Sequence, residues 1–344
     1  MILDPEAHRS HTLQNNSARR SLRSLTCVSL LLASLFHCAS ISVLAQDEAA
    51  PDEVLRVRTD LVTVPALVTD ARGRSVRGLK QADFSVLDNG RPVELSFFAA
   101  GTEHVALAFA LDASGSVREI VAQQRAAALQ LFSRFGPGSR VAVLHFGERA
   151  DLAVPFTTDT ARAQPAFTAR LPASRRTAIF DATAALLRAY AAEKETPTER
   201  RILILISDGL DTASVSRAAD VIRAARAQNV SIYVIHLPLY APRDGKLAVR
   251  PASKGFRDLA EKTGGRYFLV GDVNSALDGQ ATPDISPVFR AIEEDLQGQY
   301  LLGYYPDDAA RASDFHRIEI SLNAEAGRKL RVRALREEYK LNER

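Results

Sequence analysis

The sequence contains very little cysteine. Only two of its 344 residues are cysteines, Cys27 and Cys38, and both lie in an apolar stretch near the N-terminus. Residues 46–344 therefore carry no thiol. This excludes disulfide bonds, thiol catalysis and cysteine-ligated metals from that part of the chain.

A strong excess of charge is also absent. The net charge is +3, and the first 45 residues contribute four arginines and two acids, which leaves about +1 for the rest. Such a balance gives no reason to expect binding to nucleic acid or to an anionic membrane surface.

Several catalytic motifs are missing. There is no His-Glu-x-x-His, no Gly-x-Ser-x-Gly and no phosphate-binding Gly-Lys-Ser. His145 and His236 lie within apolar strand patterns, so we expect them to be packed in the core. Asp181 falls on a helical pattern, where a solvated side chain is the usual outcome. We expect that the protein is not an enzyme.

Residues 1–45 have the layout of a secretory signal peptide. Arg19, Arg20 and Arg23 precede a mostly apolar run from Cys27 to Leu44, and Val43-Leu-Ala45 is a small-residue cleavage site. We therefore expect export, to the periplasm or out of the cell, with no membrane span after cleavage. The alternative is a retained anchor, because a run of about 18 residues is near the lower limit for a span.

Polar side chains follow directly on the unbroken apolar run from Val105 to Leu111. They are Asp112, Ser114 and Ser116. The run predicts a parallel strand buried on both faces, and open α/β sheets bind ligands at the carboxyl ends of such strands. Hard oxygen donors suit Mg²⁺, with Mn²⁺ and Ca²⁺ as alternatives. A structural reading remains open, because Ser116 could begin a capping box.

Two later segments also carry candidate oxygen donors at the boundary of a predicted strand or helix. Thr177 lies in a polar loop that opens a helical pattern, and Asp208-Gly209 follows a second buried strand. Thr177 could instead cap the helix, and Asp208-Gly209 could be an ordinary turn. A single metal site explains Ser116, Thr177 and Asp208 at these element boundaries together, so we favour it over three separate structural explanations. Asp211 is a candidate outer group of the same site.

This pattern closely resembles the metal-ion-dependent adhesion site of the von Willebrand factor A domain. The resemblance assigns the metal site to Asp112, Ser114, Ser116, Thr177 and Asp208. It implies that Ser114 and Ser116 bind the cation directly, that the two aspartates act mostly through water, and that Thr177 does either. It also implies an acidic ligand, a carboxylate from a partner protein. Arg175 and Arg176 could favour acidic ligands, although arginines in a loop are more often only solvated.

Residues 102–298 read as alternating strands and helices, which predicts a doubly wound, mainly parallel α/β sheet of the Rossmann-like von Willebrand factor A type. The predicted helices are Val117–Phe135, Thr160–Arg170, Ile179–Ala192, Ser216–Asn229, Ser253–Thr263 and Ser286–Gln297. The predicted strands after Val105–Leu111 are Arg140–Phe146, Leu152–Phe156, Arg201–Ser207, Ser231–His236 and Arg266–Val270. Pro238–Pro251 is predicted to be a loop.

The two ends of the chain have a different pattern. Residues 46–101 and 299–344 alternate apolar and polar residues, as one-sided strands do, and Asn89-Gly90 indicates a hairpin turn. We expect both ends to form one small β-sandwich-like module into which the A domain is inserted. This arrangement resembles a bacterial family of exported proteins related to the von Willebrand factor A domain.

Together these features predict an exported binding or adhesion module that engages an acidic group of a partner protein through a divalent cation. The alternative is a scaffold or accessory subunit of a cell-envelope complex with metal-independent contacts. A metal-dependent hydrolase is a third possibility, but it would need a base beside the metal, and the sequence offers none.

Overall fold

A computed structural model of the chain describes residues 61–339, and all of these belong to one unit. Within that span the residues not described are 103, 114–116, 118–124, 170–173, 195, 197, 273–282, 307–314 and 324–328. The predicted signal peptide, both cysteines, Ser114 and Ser116 therefore lie outside the described residues. None of the helices that are described is long and apolar enough to cross a membrane.

The described elements alternate between strands and helices through the middle of the chain. The strands are β1 (Val62–Thr69), β2 (Phe84–Asp88), β3 (Arg91–Val93), β4 (Phe97–Ala100), β5 (Val105–Asp112), β6 (Arg140–Phe146), β7 (Ala150–Thr157), β8 (Arg200–Ser207), β9 (Val230–His236), β10 (Tyr240–Arg243), β11 (Lys246–Val249), β12 (Tyr267–Leu269), β13 (Gln299–Tyr304), β14 (His316–Leu322), β15 (Arg331–Ala334) and β16 (Glu338–Tyr339). The helices are α1 (Arg125–Phe132), α2 (Thr160–Ala163), α3 (Ile179–Ala192), α4 (Ala218–Ala227), α5 (Phe256–Glu261) and α6 (Ser286–Gln297), with 3₁₀ turns at Gln81–Asp83 and Gln164–Thr168.

Six strands form the central sheet, in the order β12-β9-β8-β5-β6-β7. All neighbours are parallel except β7, which runs antiparallel to β6 at one edge. Every residue of β5, β8 and β9 is buried. Their continuous apolar sequences are therefore explained by helices that cover both faces of the sheet.

The helices divide between the two faces. On one face, α1 and α6 pack on the side of β5 that carries Phe109, and Leu131 and Phe289 join the same cluster. On the other face, α3, α4 and α5 pack through residues such as Leu186 and Leu259. The predicted doubly wound, mainly parallel sheet is confirmed.

The helix predicted at Val117–Phe135 ends at Phe132 in the structure, and residues 118–124 of its span lie outside the described residues. Three further helices are shorter than the sequence predicts. The segment predicted as Thr160–Arg170 is helical only to Ala163 and continues as a 3₁₀ turn, since Pro165 has no amide hydrogen to donate. Ser216–Asn229 is helical at Ala218–Ala227, and Ser253–Thr263 at Phe256–Glu261.

The predicted loop at Pro238–Pro251 is wrong in part, because it contains the hairpin of β10 and β11. Asp244 and Gly245 both have positive φ, at 51° and 74°, as a tight two-residue hairpin turn requires. The hairpin forms a separate two-stranded sheet beyond the carboxyl end of β9.

The two ends of the chain share two four-stranded sheets. One has the order β15-β1-β13-β4 and the other β16-β14-β2-β3, so each combines N-terminal and C-terminal strands. The expected hairpin is present, with φ of 48° at Asn89 and 76° at Gly90. Val64, Phe84 and Leu302 belong to one buried cluster between the sheets. The structure therefore contains the sandwich built from both ends, while its boundaries at residues 46, 102 and 299 stay predictions.

A buried polar group also links the ends of the chain. Asp88 of β2 is 4% exposed and accepts hydrogen bonds from Tyr304 at 3.1 Å and Tyr339 at 2.6 Å. The Nδ1 atom of His316 lies 2.9 Å from its other carboxylate oxygen. Three C-terminal side chains thus hold one N-terminal carboxylate.

The central sheet and the sandwich also share a polar contact. Arg200, at the start of β8, is buried and donates to the Oε1 atom of Gln299 at 2.6 Å. Burial lowers the pKa of this arginine to about 10. Gln299 begins β13, so the contact lies where the chain returns to the sandwich.

Because β1 and β2 find partners in the C-terminal segment, we predict that deletion of residues 299–344 unfolds both N-terminal strands. Hydrogen exchange measured by mass spectrometry is expected to show fast exchange across residues 62–69 and 84–88. A chain that ends after Tyr339 retains every described strand and serves as the control. N-terminal strands that stay protected in the longer deletion would contradict the shared sandwich.

Candidate metal centre

Asp112 is the last residue of β5 and lies at the carboxyl edge of the central sheet. Its side chain is 2% exposed, and its Oδ2 atom accepts a hydrogen bond from the Ser207 hydroxyl at 2.7 Å. The parallel register places Leu111 opposite Ile206, so Asp112 is level with Ser207 on the neighbouring strand. Ser207 thereby orients the carboxylate, a role that the sequence analysis missed.

Asp208 lies one residue beyond the end of β8, at the same edge. It forms a tight turn in which its Oδ1 atom accepts the amide of Leu210 at 2.9 Å. His236 lies 2.8 Å from its backbone oxygen. Burial raises the pKa of the Asp208 carboxyl, and the Leu210 hydrogen bond opposes this effect. The turn expected from the sequence is therefore present, and it holds a largely buried acid.

Thr177 lies in a loop that crosses the end of β5. The Ala178 amide donates to the Gly147 carbonyl at 2.7 Å, and the Thr212 amide donates to the Thr177 carbonyl at 2.8 Å. Gly147 follows β6 and Thr212 follows β8, which are the two neighbours of β5 in the sheet. The loop is therefore attached on both sides of Asp112, and Thr177 itself is buried.

The close approach of this loop requires a glycine at position 147. A Cβ atom there would lie 2.3 Å from the Cβ of Ser174. Ser174 accepts the Glu148 amide at 3.1 Å and donates to the Arg176 carbonyl at 2.6 Å. The contact fixes the start of the Thr177 loop against the turn after β6.

Thr177 does not cap helix α3, so the alternative interpretation of this residue as a helix cap is wrong. The N-cap residue is Ala178, which has no side chain able to accept a hydrogen bond. Among the described residues, no hydrogen bond uses the Thr177 hydroxyl. That oxygen therefore remains a candidate metal donor.

Asp211, in the loop after β8, caps helix α3. Its Oδ1 atom accepts the Ile179 amide at 2.7 Å and the Ser214 hydroxyl at 2.5 Å. The Ser214 oxygen in turn accepts the Phe180 amide at 3.0 Å. These contacts use the Oδ1 atom of Asp211 to cap the N-terminus of the helix, and its role as an outer group of the metal site stays a prediction.

Asp181 is not merely solvated, as its helical position suggested. Its two carboxylate oxygens accept the amides of Val215 and Ser216, at 2.9 and 2.8 Å. Burial raises the pKa of Asp181, but the side-chain hydrogen bond with Ser216, the two amide hydrogen bonds and the charge of Arg188 together outweigh that effect and lower it. Local sequence periodicity could not reveal partners that lie 34 and 35 residues away.

The edge beside Asp112 opens into a cleft of about 440 Å³. Its lining residues are Ala113, His145, Phe146, Gly147, Glu148, Arg149, Asp151 and Ser174. Arg176 pairs with Glu148 at 2.8 Å, so its charge is partly balanced. Arg175 is exposed on the same loop.

His145 and His236 are buried, as expected from their strand positions. The Nε2 atom of His145 lies 2.6 Å from the Ala166 carbonyl oxygen, and the Nδ1 atom of His236 is hydrogen-bonded to the Tyr267 hydroxyl. Burial lowers the pKa of each imidazole. Burial therefore disfavours the charged form of both rings.

The described donors fit a hard divalent cation. Asp112, Thr177 and Asp208 supply only oxygen, and all three are buried at one edge of the sheet. Burial disfavours a charged Asp208, and a divalent cation is a ligand that stabilises the charged form. The described residues contain no cluster of three or more His, Cys, Asp or Glu side chains able to hold a metal. The predicted set differs from such clusters because three of its five donors are hydroxyls.

The sequence of residues 107–210 matches the family model of the von Willebrand factor type A domain. This span contains Asp112, Thr177 and Asp208. No curated protein matches the chain.

Several solved structures are similar to part of the chain. BatB from Bacteroides thetaiotaomicron is 20% identical, with 56% of this chain and 96% of that chain covered and a TM-score of 0.40. A von Willebrand factor type A protein from Catenulispora acidiphila is 16% identical, with 80% and 76% covered and a TM-score of 0.42. Proximal thread matrix protein 1 from the mussel byssus, with zinc in its MIDAS motif, is 18% identical, with 60% and 48% covered and a TM-score of 0.43. These similarities assign no ligand to this chain.

The turn at Asp208 requires glycine at position 209, and we predict that Gly209→Ala lowers the free energy of unfolding by about 2–5 kcal/mol. Its φ is +82°, and an added Cβ would lie 2.9 Å from the Cβ of Ala252. Gly245→Ala is the matched control, because its φ is +74° but nothing lies within 4 Å of the added atom. It is expected to cost only about 1–2 kcal/mol. Equal losses in urea denaturation would contradict the steric part of the argument.

Proposed function

Because residues 107–210 form a von Willebrand factor type A domain, we propose that this protein is an exported binding module that engages a carboxylate of a partner protein through a divalent cation. A role in protein–protein interaction follows from the domain itself. The divalent cation and the acidic ligand that it binds are the more specific part of the proposal.

One observation carries the proposal: Asp112 and Asp208 lie buried at the same sheet edge, and the loop that holds Thr177 is attached across the end of β5. Ser114 and Ser116 follow Asp112 directly in sequence and complete the expected donor set. These residues would hold Mg²⁺, with Mn²⁺ or Ca²⁺ as alternatives, and the cation would supply a coordination position for an acidic group.

Basic groups near this edge support an acidic ligand. Arg250 is close enough to Asp208 to lower the pKa of that carboxyl, although burial has the larger and opposite effect. Arg175 is exposed beside Thr177, and the β10–β11 hairpin exposes Arg243 and Lys246. Such charges favour the approach of an acidic segment and disfavour a basic one.

Export is inferred from residues 1–45, which have the organisation of a signal peptide. The final location is periplasmic or outside the cell. We propose no enzymatic role, because the buried rings of His145 and His236 are each hydrogen-bonded to a backbone oxygen. A scaffold in an envelope complex is the competing proposal, and it predicts binding that is independent of the metal.

We predict that Asp112→Ala and Ser114→Ala abolish Mg²⁺-dependent partner binding and leave the fold intact. Asp112 lies at the rim of the sheet, where shortening its side chain leaves no apolar cavity. Loss of the buried hydrogen bond from Ser207 to the Asp112 carboxylate costs about 1.5–3 kcal/mol. Circular dichroism checks the fold.

The experiment captures a partner from the native envelope fraction with wild-type protein in Mg²⁺. Its affinity is then measured for wild type and each variant, with Mg²⁺ and with chelator. Asp159→Ala is the control, because Asp159 follows β7, which is antiparallel and so ends at the opposite edge of the sheet. Equal affinity of wild type and variants for the partner, with Mg²⁺ and with chelator, would contradict the metal-dependent adhesion site and favour the scaffold.

A further inference from the structure

The N-terminus of α3 depends on a loop from another part of the chain. The first amides of a helix have no partner within it and need acceptors from elsewhere. Here Asp211 accepts the Ile179 amide, and Ser214 accepts the amides of Phe180 and Asp181 at 3.0 and 3.1 Å. The capping groups therefore come from the loop after β8.

The same loop depends on the helix in return. Val215 and Ser216 donate their amides to the two carboxylate oxygens of Asp181, in the first turn of α3. Each segment thus supplies acceptors for the other's backbone donors. We call these contacts of Asp181, Asp211 and Ser214 the clasp.

Backbone contacts at Thr177 continue the clasp towards the metal centre. The Thr177 amide donates to the Thr212 hydroxyl at 2.9 Å, and the Thr177 carbonyl accepts the amides of Thr212 and Ala213 at 2.8 and 3.1 Å. Ser253 accepts the Asp211 amide at 2.8 Å, and its own amide donates to the Gly209 carbonyl. The loop that follows Asp208 is therefore fixed at both of its ends.

We propose that Asp181, together with Asp211 and Ser214, positions the metal centre by setting the separation between Thr177 and Asp208. This inference rests on the proposed function. Donors on two different loops must meet within a few tenths of an ångström to share one ion, and the clasp is the set of contacts that joins those loops. None of its three side chains needs to contact the cation.

The test compares Asp181→Asn with Asp70→Asn. An asparagine at position 181 turns one of the two acceptor oxygens into an NH₂ donor, which then faces a backbone amide. Asp70 is the control, because its Oδ1 atom accepts two backbone amides, from Arg72 and Arg74 at 2.8 and 2.9 Å, and its Oδ2 atom accepts the Arg74 guanidinium at 2.8 Å, in a turn of the sandwich. Each variant replaces one acceptor oxygen of a turn-capping carboxylate by an NH₂ group, but only Asp181 belongs to the clasp.

Mn²⁺ affinity is measured by electron paramagnetic resonance, and stability by thermal unfolding, on the full mature chain. We expect Asp181→Asn to weaken Mn²⁺ binding by about 10–100-fold, as loss of a supporting residue does elsewhere. Asp70→Asn is expected to keep wild-type Mn²⁺ affinity. Ser214→Ala is expected to weaken binding, and Ser214→Thr, which retains the hydroxyl, to restore it.

The outcomes separate the two proposals. Wild-type Mn²⁺ affinity in folded Asp181→Asn would overturn the clasp and leave the metal centre standing. An equal loss of Mn²⁺ affinity in Asp181→Asn and Asp70→Asn would also overturn the clasp, because reduced stability alone would then explain the weaker binding. Absence of Mn²⁺ binding in wild type, or wild-type binding by Asp112→Ala, would overturn the proposed metal centre and the clasp with it.

Discussion

The parallel pairing of β5 with β6 and β8 is the constraint on which the candidate site depends. These strands are covered on both faces, so their sequences tolerate few polar groups until they reach the sheet edge. Polar side chains able to bind a ligand are therefore concentrated where the strands end. The register between β5 and β8 brings Asp112 level with Ser207 and leaves Asp208 one residue further on. Two acids distant in sequence become neighbours through backbone hydrogen bonds alone.

Much of the fold could be predicted from the sequence because its signals are local. The apolar run before Asp112 predicts a buried strand, the periodicity of Ile179–Ala192 predicts its helix, and Asn89-Gly90 predicts its turn. The support of the site could not be predicted in this way. Asp181 reads as a solvated helix residue, yet its partners are amides of another loop. Periodicity describes which face a residue occupies and contains no information about distant partners.

The sandwich shows the same division between local and long-range information. Alternation predicts each strand, but the partner of β1 is specified only by the shared core and by polar contacts such as those of Asp88. A buried carboxylate is costly unless it is fully hydrogen-bonded, so the Asp88 contacts favour one arrangement of the strands over others. Arg200 and Gln299 form a buried polar contact at the place where the sheet meets the sandwich.

The placement of β1 between β13 and β15 has a consequence for biosynthesis. Synthesis proceeds from the N-terminus, so β1 is complete more than two hundred residues before either neighbour exists. Throughout that interval both of its edges present unpaired backbone groups next to an apolar surface, which is the arrangement that promotes aggregation. The central α/β sheet can close meanwhile, because its strands lie between these segments. The nascent chain therefore has to keep β1 unpaired until β13 and β15 have been synthesised.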